Sequence, residues 1–198
     1  VSNADITDLA SDAYGILIEG LNGKVADALW LENINITIGV FKYGIAIKDA
    51  GGGYIHVINC AVENADVYSF WIKNSPHVRL INCWAGKGSG SPQYHYFVES
   101  TNNIEILGCM AIEAHQDGIR IYDSRWVKVI GCHVIDNGQE TPNTYDGIKI
   151  SSSSDCIISS NVSCNTYGSN QRYGIKEEGA SDYNIIADNN CRGNATGG

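Results

Sequence analysis

The feature that most limits what this chain can fold into is a five-residue pattern, Tyr/Asp-Gly-Ile-x-Ile, which returns along its whole length. It reads YGILI at Tyr14, YGIAI at Tyr43, YSFWI at Tyr68, YHYFV at Tyr94, DGIRI at Asp117, DGIKI at Asp146 and YGIKE at Tyr173, at intervals of 29, 25, 26, 23, 29 and 27 residues. Apolar and variable positions alternate in each copy, the period-2 mark of a strand with one buried face. A second strand follows each copy: ALWLENINI from Ala28, YIHVINCAV from Tyr54, HVRLINCWA from His77, NIEILGCMA from Asn103, WVKVIGCHV from Trp126, DCIISSNVS from Asp155 and YNIIADNNC from Tyr183. No interval leaves room for a helix between strands, which excludes a βαβ protein.

Two strands and turn-rich connections at a period in the twenties predict an all-β chain, a single right-handed parallel β-helix of about seven coils over residues 1–198. Coils stack ~4.8 Å apart, so equivalent residues form ladders. Ile34, Cys60, Cys83, Cys109, Cys132, Asn161 and Asn189 share one inward position. Ile16, Ile45, Phe70, Tyr96, Ile119, Ile148 and Ile175 share another. The seven cysteines are an odd number at long, even spacings, which fits buried thiols better than a disulfide framework or a zinc site. Residues 1–13 are expected to include an N-terminal cap, and RGNATGG at the C-terminus is read as too polar for one. The chain opens on Val1 rather than Met and is read as a processed product or part of something longer.

A net charge of −9 argues against a nucleic-acid partner, which needs a basic footprint. No apolar run approaches the ~18 residues of a membrane span. The sequons at Asn35, Asn161 and Asn194 fit an extracellular chain weakly, Asn161 least because it lies on an inward ladder.

On the Gly-Ile-x-Ile and Ile-Asn/Gly-Cys strands, from Tyr14 to about Arg192, the chain resembles the pectate-lyase-like superfamily of right-handed β-helices. The resemblance implies a polysaccharide partner, an extracellular or virion-surface setting, and, as in phage tailspikes, a homotrimer or part of a larger chain. The polygalacturonase set of paired aspartates, Gly-His-Gly and Arg-Ile-Lys is absent. So is the Tyr-Gly-Phe-Asp-Pro-His motif of alginate epimerases. No catalytic residue therefore carries over.

Residues alternating with the inward isoleucines must face out. One outward ladder runs Leu17, Ala46, Trp71, Phe97, Arg120, Lys149, Lys176, and the next Glu19, Lys48, Lys73, Glu99, Tyr122, Ser151, Glu178. Trp71 and Phe97 would form an aromatic platform for sugar rings, continued by cations suited to sugar carboxylates; Lys73, Glu99, Tyr122 and Lys176 would add contacts. The same rows would serve equally as ordinary face packing or as a subunit interface. Asp117 and Asp146 on adjacent coils, about 5 Å apart at Cα, are candidates for an acid/base pair or a calcium site, with plain Asp-Gly turns entering a strand as the favoured reading. His115 stands beside Asp117 in sequence, and His95 is expected to flank Phe97 on the outward side. A lyase would also need a cation against the uronate carboxylate, for which Arg120, Lys149 and His95 are candidates. The function expected is binding or degradation of an acidic polysaccharide by a lyase or glycosidase, with a non-catalytic adhesin or a structural fibre segment as the alternatives.

Overall fold

The computed structural model describes residues 2–6, 12–20, 28–37, 39–168 and 170–198. The seven repeats become seven strands, Tyr14–Glu19, Phe41–Lys48, Ala65–Lys73, Tyr94–Glu99, Ile119–Tyr122, Ile148–Ser151 and Ile175–Glu178. They pair in parallel and in chain order as one sheet. Seven such strands bound about six full turns, slightly fewer than the seven coils expected.

The second segments differ from expectation in shape. Tyr54–Ile58 breaks before Ala61–Glu63, Val78–Ile81 before Trp84–Gly86, Asn102–Leu107 before Met110–Ile112, and Arg125–Ile130 before His133–Ile135. Ala28–Ile36 runs through the corner as one strand and joins both legs of this second, L-shaped sheet. The corner residue has a left-handed backbone, with φ of 53° at Asn59, 51° at Asn82, 62° at Gly108 and 67° at Gly131. Asparagine and glycine enter that region most readily. The Asn/Gly of the Ile-Asn/Gly-Cys motif is therefore a hinge that gives the coil a third side.

The inward ladders are as aligned. Ile45, Phe70, Tyr96, Ile119 and Ile148 are fully buried, and the Phe70 and Tyr96 rings stack in parallel at 4.9 Å. Cys60, Cys83, Cys109 and Cys132 are buried free thiols, and each donates to carbonyls of its own and the preceding coil, as Cys83 does to Val57 and Ile81. Where the ladder passes to asparagine, Asn161 Oδ1 accepts from Cys132 N at 2.8 Å, while its Nδ2 donates to Val129 O and to Asn189 Oδ1. A hydroxyl ladder not foreseen from the sequence lies on another corner. Ala50 N donates to Ser75 Oγ, Ser75 N to Thr101 Oγ1, Thr101 N to Ser124 Oγ, and Ser124 N to Ser153 Oγ. Each step gives a buried backbone donator its acceptor on the next coil.

Within residues 1–13, Ser2–Ile6 is a strand that stacks in parallel on Ala28–Ile36, and residues 7–11 lie outside the described residues. The polar C-terminal stretch pairs with the segment that leads into the last first strand, with Ala195 N on Gln171 O, Thr196 N on Arg172 O and Gly174 N on Gly197 O. Ile185 and Ile186 of the last coil remain exposed at 57% and 41%.

Candidate functional site

The first-strand face has the predicted register: Trp71 pairs with Phe97, Phe97 with Arg120, Arg120 with Lys149 and Lys149 with Lys176. The neighbouring row is also in place, Lys73 beside Glu99 and Glu99 beside Tyr122. Ala46, expected outward, is fully buried.

The aromatic platform is wider than the two residues read from sequence, and less open. The repeat tyrosines join it: Tyr14 stacks on Tyr43 at 4.6 Å and Tyr68 on Tyr94 at 5.6 Å. The Trp71 indole lies 5.3 Å from both Tyr43 and Tyr68, and Phe97 lies 5.0 Å from Tyr68 and 5.1 Å from Tyr94. Trp71 and Phe97 are half-buried in consequence, and burial pushes the Tyr68 phenol up to about 12. Trp71 Nε1 donates to Glu99 Oε2 at 3.1 Å, and Lys73 pairs with Glu99 Oε1 at 3.0 Å.

The cationic half is matched by local anions. Lys149 pairs with Glu178 at 2.9 Å and Arg120 with Asp117 at 3.1 Å, while Lys176 stands over the Tyr173 ring at 5.0 Å. Burial pushes Glu178 up, but its bonds with Lys149 outweigh that and leave it below the ordinary carboxylate range.

Asp117 and Asp146 occupy successive coils but are shut in, at 1% and 0% exposure. Each accepts a backbone N–H from the next coil: Asp146 N donates to Asp117 Oδ1 at 2.8 Å, and Tyr173 N to Asp146 Oδ1 at 3.3 Å. Asp146 is clamped in addition by Arg172, whose Nε and Nη2 donate to the two carboxylate oxygens at 2.9 and 2.7 Å. Arg172 was not picked out by sequence reasoning. Burial pushes the Asp117 carboxyl above its ordinary value. Among the described residues no three His, Cys, Asp or Glu side chains form a group that would hold a metal ion, so the possible calcium site has no protein cluster to support it.

His95 corrects the expected orientation. It is fully buried rather than outward. Its Nε2–H donates to Ile112 O at 2.6 Å, and its Nδ1 accepts from Ser69 Oγ at 3.0 Å. The strict alternation fails because His95 occupies the corner position that is Gly44, Gly118 and Gly147 on other coils. There the Cα–Cβ direction points inward, and a Cβ on Gly118 would stand 2.6 Å from Val134 Cγ1. Burial holds the imidazole near 4, neutral at ordinary pH. His115 remains half-buried on the loop side, with Lys87 and Glu140 in its field, and burial lowers its pKa. Tyr122 is open at 42%.

A groove of about 650 Å³ lies elsewhere, across the outer face of the second strands. Its rim carries Tyr54 and Trp126, exposed at 55% and 49%. On its floor Glu105 takes Arg79 Nε at 2.6 Å and Lys128 Nζ at 3.1 Å. Sequence reading passed over this face because it sought the working surface beside the repeat motif.

A family model described as a right-handed β-helix region matches residues 1–161. Neither the curated proteins nor the solved structures contain a match to the chain.

Proposed function

Starting from the right-handed β-helix family, to which this chain belongs, we propose that it binds an acidic polysaccharide along its first-strand face. The observation that carries this reading is the continuous row in which Trp71 and Phe97 pass directly into Arg120, Lys149 and Lys176 on successive coils. Rings of an extended glycan would lie against the aromatic half, and its carboxylates would meet the lysines and arginine. Binding is favoured over cleavage because Asp117, Asp146 and His95, three of the four candidate acid–base groups, are enclosed and already bonded, leaving His115 alone half-buried. An extracellular or virion-surface setting, and assembly as a homotrimer or within a longer chain, belong to the same proposal through the likeness to tailspikes.

The test is titration calorimetry with polygalacturonate, alginate and bacterial capsular polysaccharides, with product assays for unsaturated ends and new reducing ends. The expected result is salt-sensitive binding without products, weakened about tenfold or more by Phe97→Ala combined with Lys176→Ala. Unchanged binding in that variant would defeat the placement on this face, and product formation would replace the binding reading with an enzymatic one.

A further inference from the structure

We propose that the groove on the second-strand face is a separate binding site for an acidic oligosaccharide, with rings stacked on Trp126 and Tyr54 and an acidic substituent held by Arg79 and Lys128. The site does not depend on the reading of the first-strand face.

The first argument comes from the backbone. Tyr54, His77, Asn103, Trp126, Asp155 and Tyr183 form one row along the axis. From His77 onward the row is left-handed, with φ of 60° at His77, 55° at Asn103, 53° at Trp126, 57° at Asp155 and 54° at Tyr183. Asn and Asp are what such a corner selects on conformational grounds. Asn103 and Asp155 satisfy that preference and histidine at His77 is tolerated there, whereas Trp126 strains against it, as does Tyr183 at the end of the row outside the groove. Strain retained against a readily available alternative is a mark of a site whose side chains serve something other than the fold.

The second argument is the arrangement of the groove. Trp126 lies three coil spacings from Tyr54, about 14 Å along the axis, so the groove can seat a short chain of flat rings rather than one small molecule. Arg125 stands over the indole at 5.0 Å and pairs with Asp155 at 2.9 Å, and nearly half of Trp126 is open. Exposed aromatics stack on apolar surfaces at low conformational cost.

The third argument is charge. Arg79 engages Glu105 through Nε, and its two terminal nitrogens have no hydrogen-bond partner among the described residues. They are a ready fork for a carboxylate or sulfate. The groove's lining carries two cations, Arg79 and Lys128, against two carboxylates, Glu105 and Asp155, a locally balanced floor on a chain whose net charge is −9. A charged floor of this kind also argues against burial by a second copy of the chain, since interface centres are depleted in lysine and glutamate.

The experiment titrates the chain with hexasaccharides of polygalacturonate and of chondroitin sulfate, and with maltohexaose as a neutral probe. It compares wild type with Trp126→Asn, Arg79→Gln and, on the other face, Lys176→Ala. Sedimentation and thermal unfolding are run on each. The expected result is that Trp126→Asn weakens an acidic hexasaccharide about tenfold or more and raises the unfolding midpoint, because it relieves the backbone. Arg79→Gln should weaken the acidic probes selectively, and Lys176→Ala should leave this site unchanged. The proposal is overturned if no acidic probe binds or if maltohexaose binds equally well. Unchanged binding in Trp126→Asn, a lowered unfolding midpoint, or self-association that this substitution abolishes would overturn it equally.

Discussion

The two outer faces carry similar chemistry and deploy it in opposite ways. On the first-strand face Trp71 touches Tyr43 and Tyr68, and Phe97 touches Tyr68 and Tyr94, so the rings spend much of their surface on one another. On the second-strand face Trp126 and Tyr54 stand about half open, Tyr54 beside the His77 ring and Trp126 beneath Arg125, and Trp126 does so on an unfavourable backbone. Position on the coil makes the difference. The first-strand rows lie on flat sheet, where side chains on neighbouring coils are held at the strand spacing and stack. The Trp126 row lies at the start of the second strands, where the backbone is left-handed from His77 onward. Stacked rings stabilise the solenoid, and open ones are available to a ligand.

The sharpest contrast is expected from removing a locked group on the first-strand side. Asp146→Ala leaves Arg172 and Tyr173 N without their acceptor, and should destabilise the chain by about 3–5 kcal/mol in chemical denaturation. A loss under 1 kcal/mol would show the clamp to be dispensable.

His95 gives the next largest effect. Its folded-state pKa, near 4, lies below the ordinary 6.5 because burial disfavours the imidazolium. The unfolded chain therefore takes up a proton first. The stability contributed by the neutral ring is fully present above pH 6.5 and is lost as pH falls from 6.5 towards 4, by up to about 3 kcal/mol. His95→Asn should flatten that window relative to wild type, and identical pH profiles for the two proteins would contradict the burial of the ring.

Trp71→Ala should remove about 1–3 kcal/mol through its two ring contacts, whereas Trp126→Asn should add about 1 kcal/mol by relieving the left-handed backbone. Matching unfolding curves for these two variants would erase the distinction between the faces.

Much of the fold was legible because a solenoid repeats its instructions. Each Ile-x-Ile and each Cys appears several times at one position, and the ladder from Cys60 to Cys132 follows from alignment alone. The hinge at Asn59, Asn82, Gly108 and Gly131 was less legible, since its residues read as part of a straight strand. The candidate site was legible as a row and not as an environment. Trp71, Phe97, Arg120, Lys149 and Lys176 fall in line as aligned, but nothing in the pattern told that Arg120 would be held by Asp117 or that Arg172, from a loop, would enclose Asp146. His95 failed for a local reason: period 2 holds within a strand and breaks near its start, at the second residue of Tyr94–Glu99, the position held by Gly44, Gly118 and Gly147 on other coils.

The sequence by itself determined the architecture, the register of the ladders and the burial of the thiols, because these follow from periodicity and from the need to bury apolar side chains on one face. The tertiary structure alone decided which polar and aromatic groups stay open. Accessibility depends on which way each corner turns and on what the neighbouring coil places against each side chain. Trp71 and Trp126 are both tryptophans on the outside of a β-helix, and only their surroundings separate a packing residue from a surface offered to a ligand.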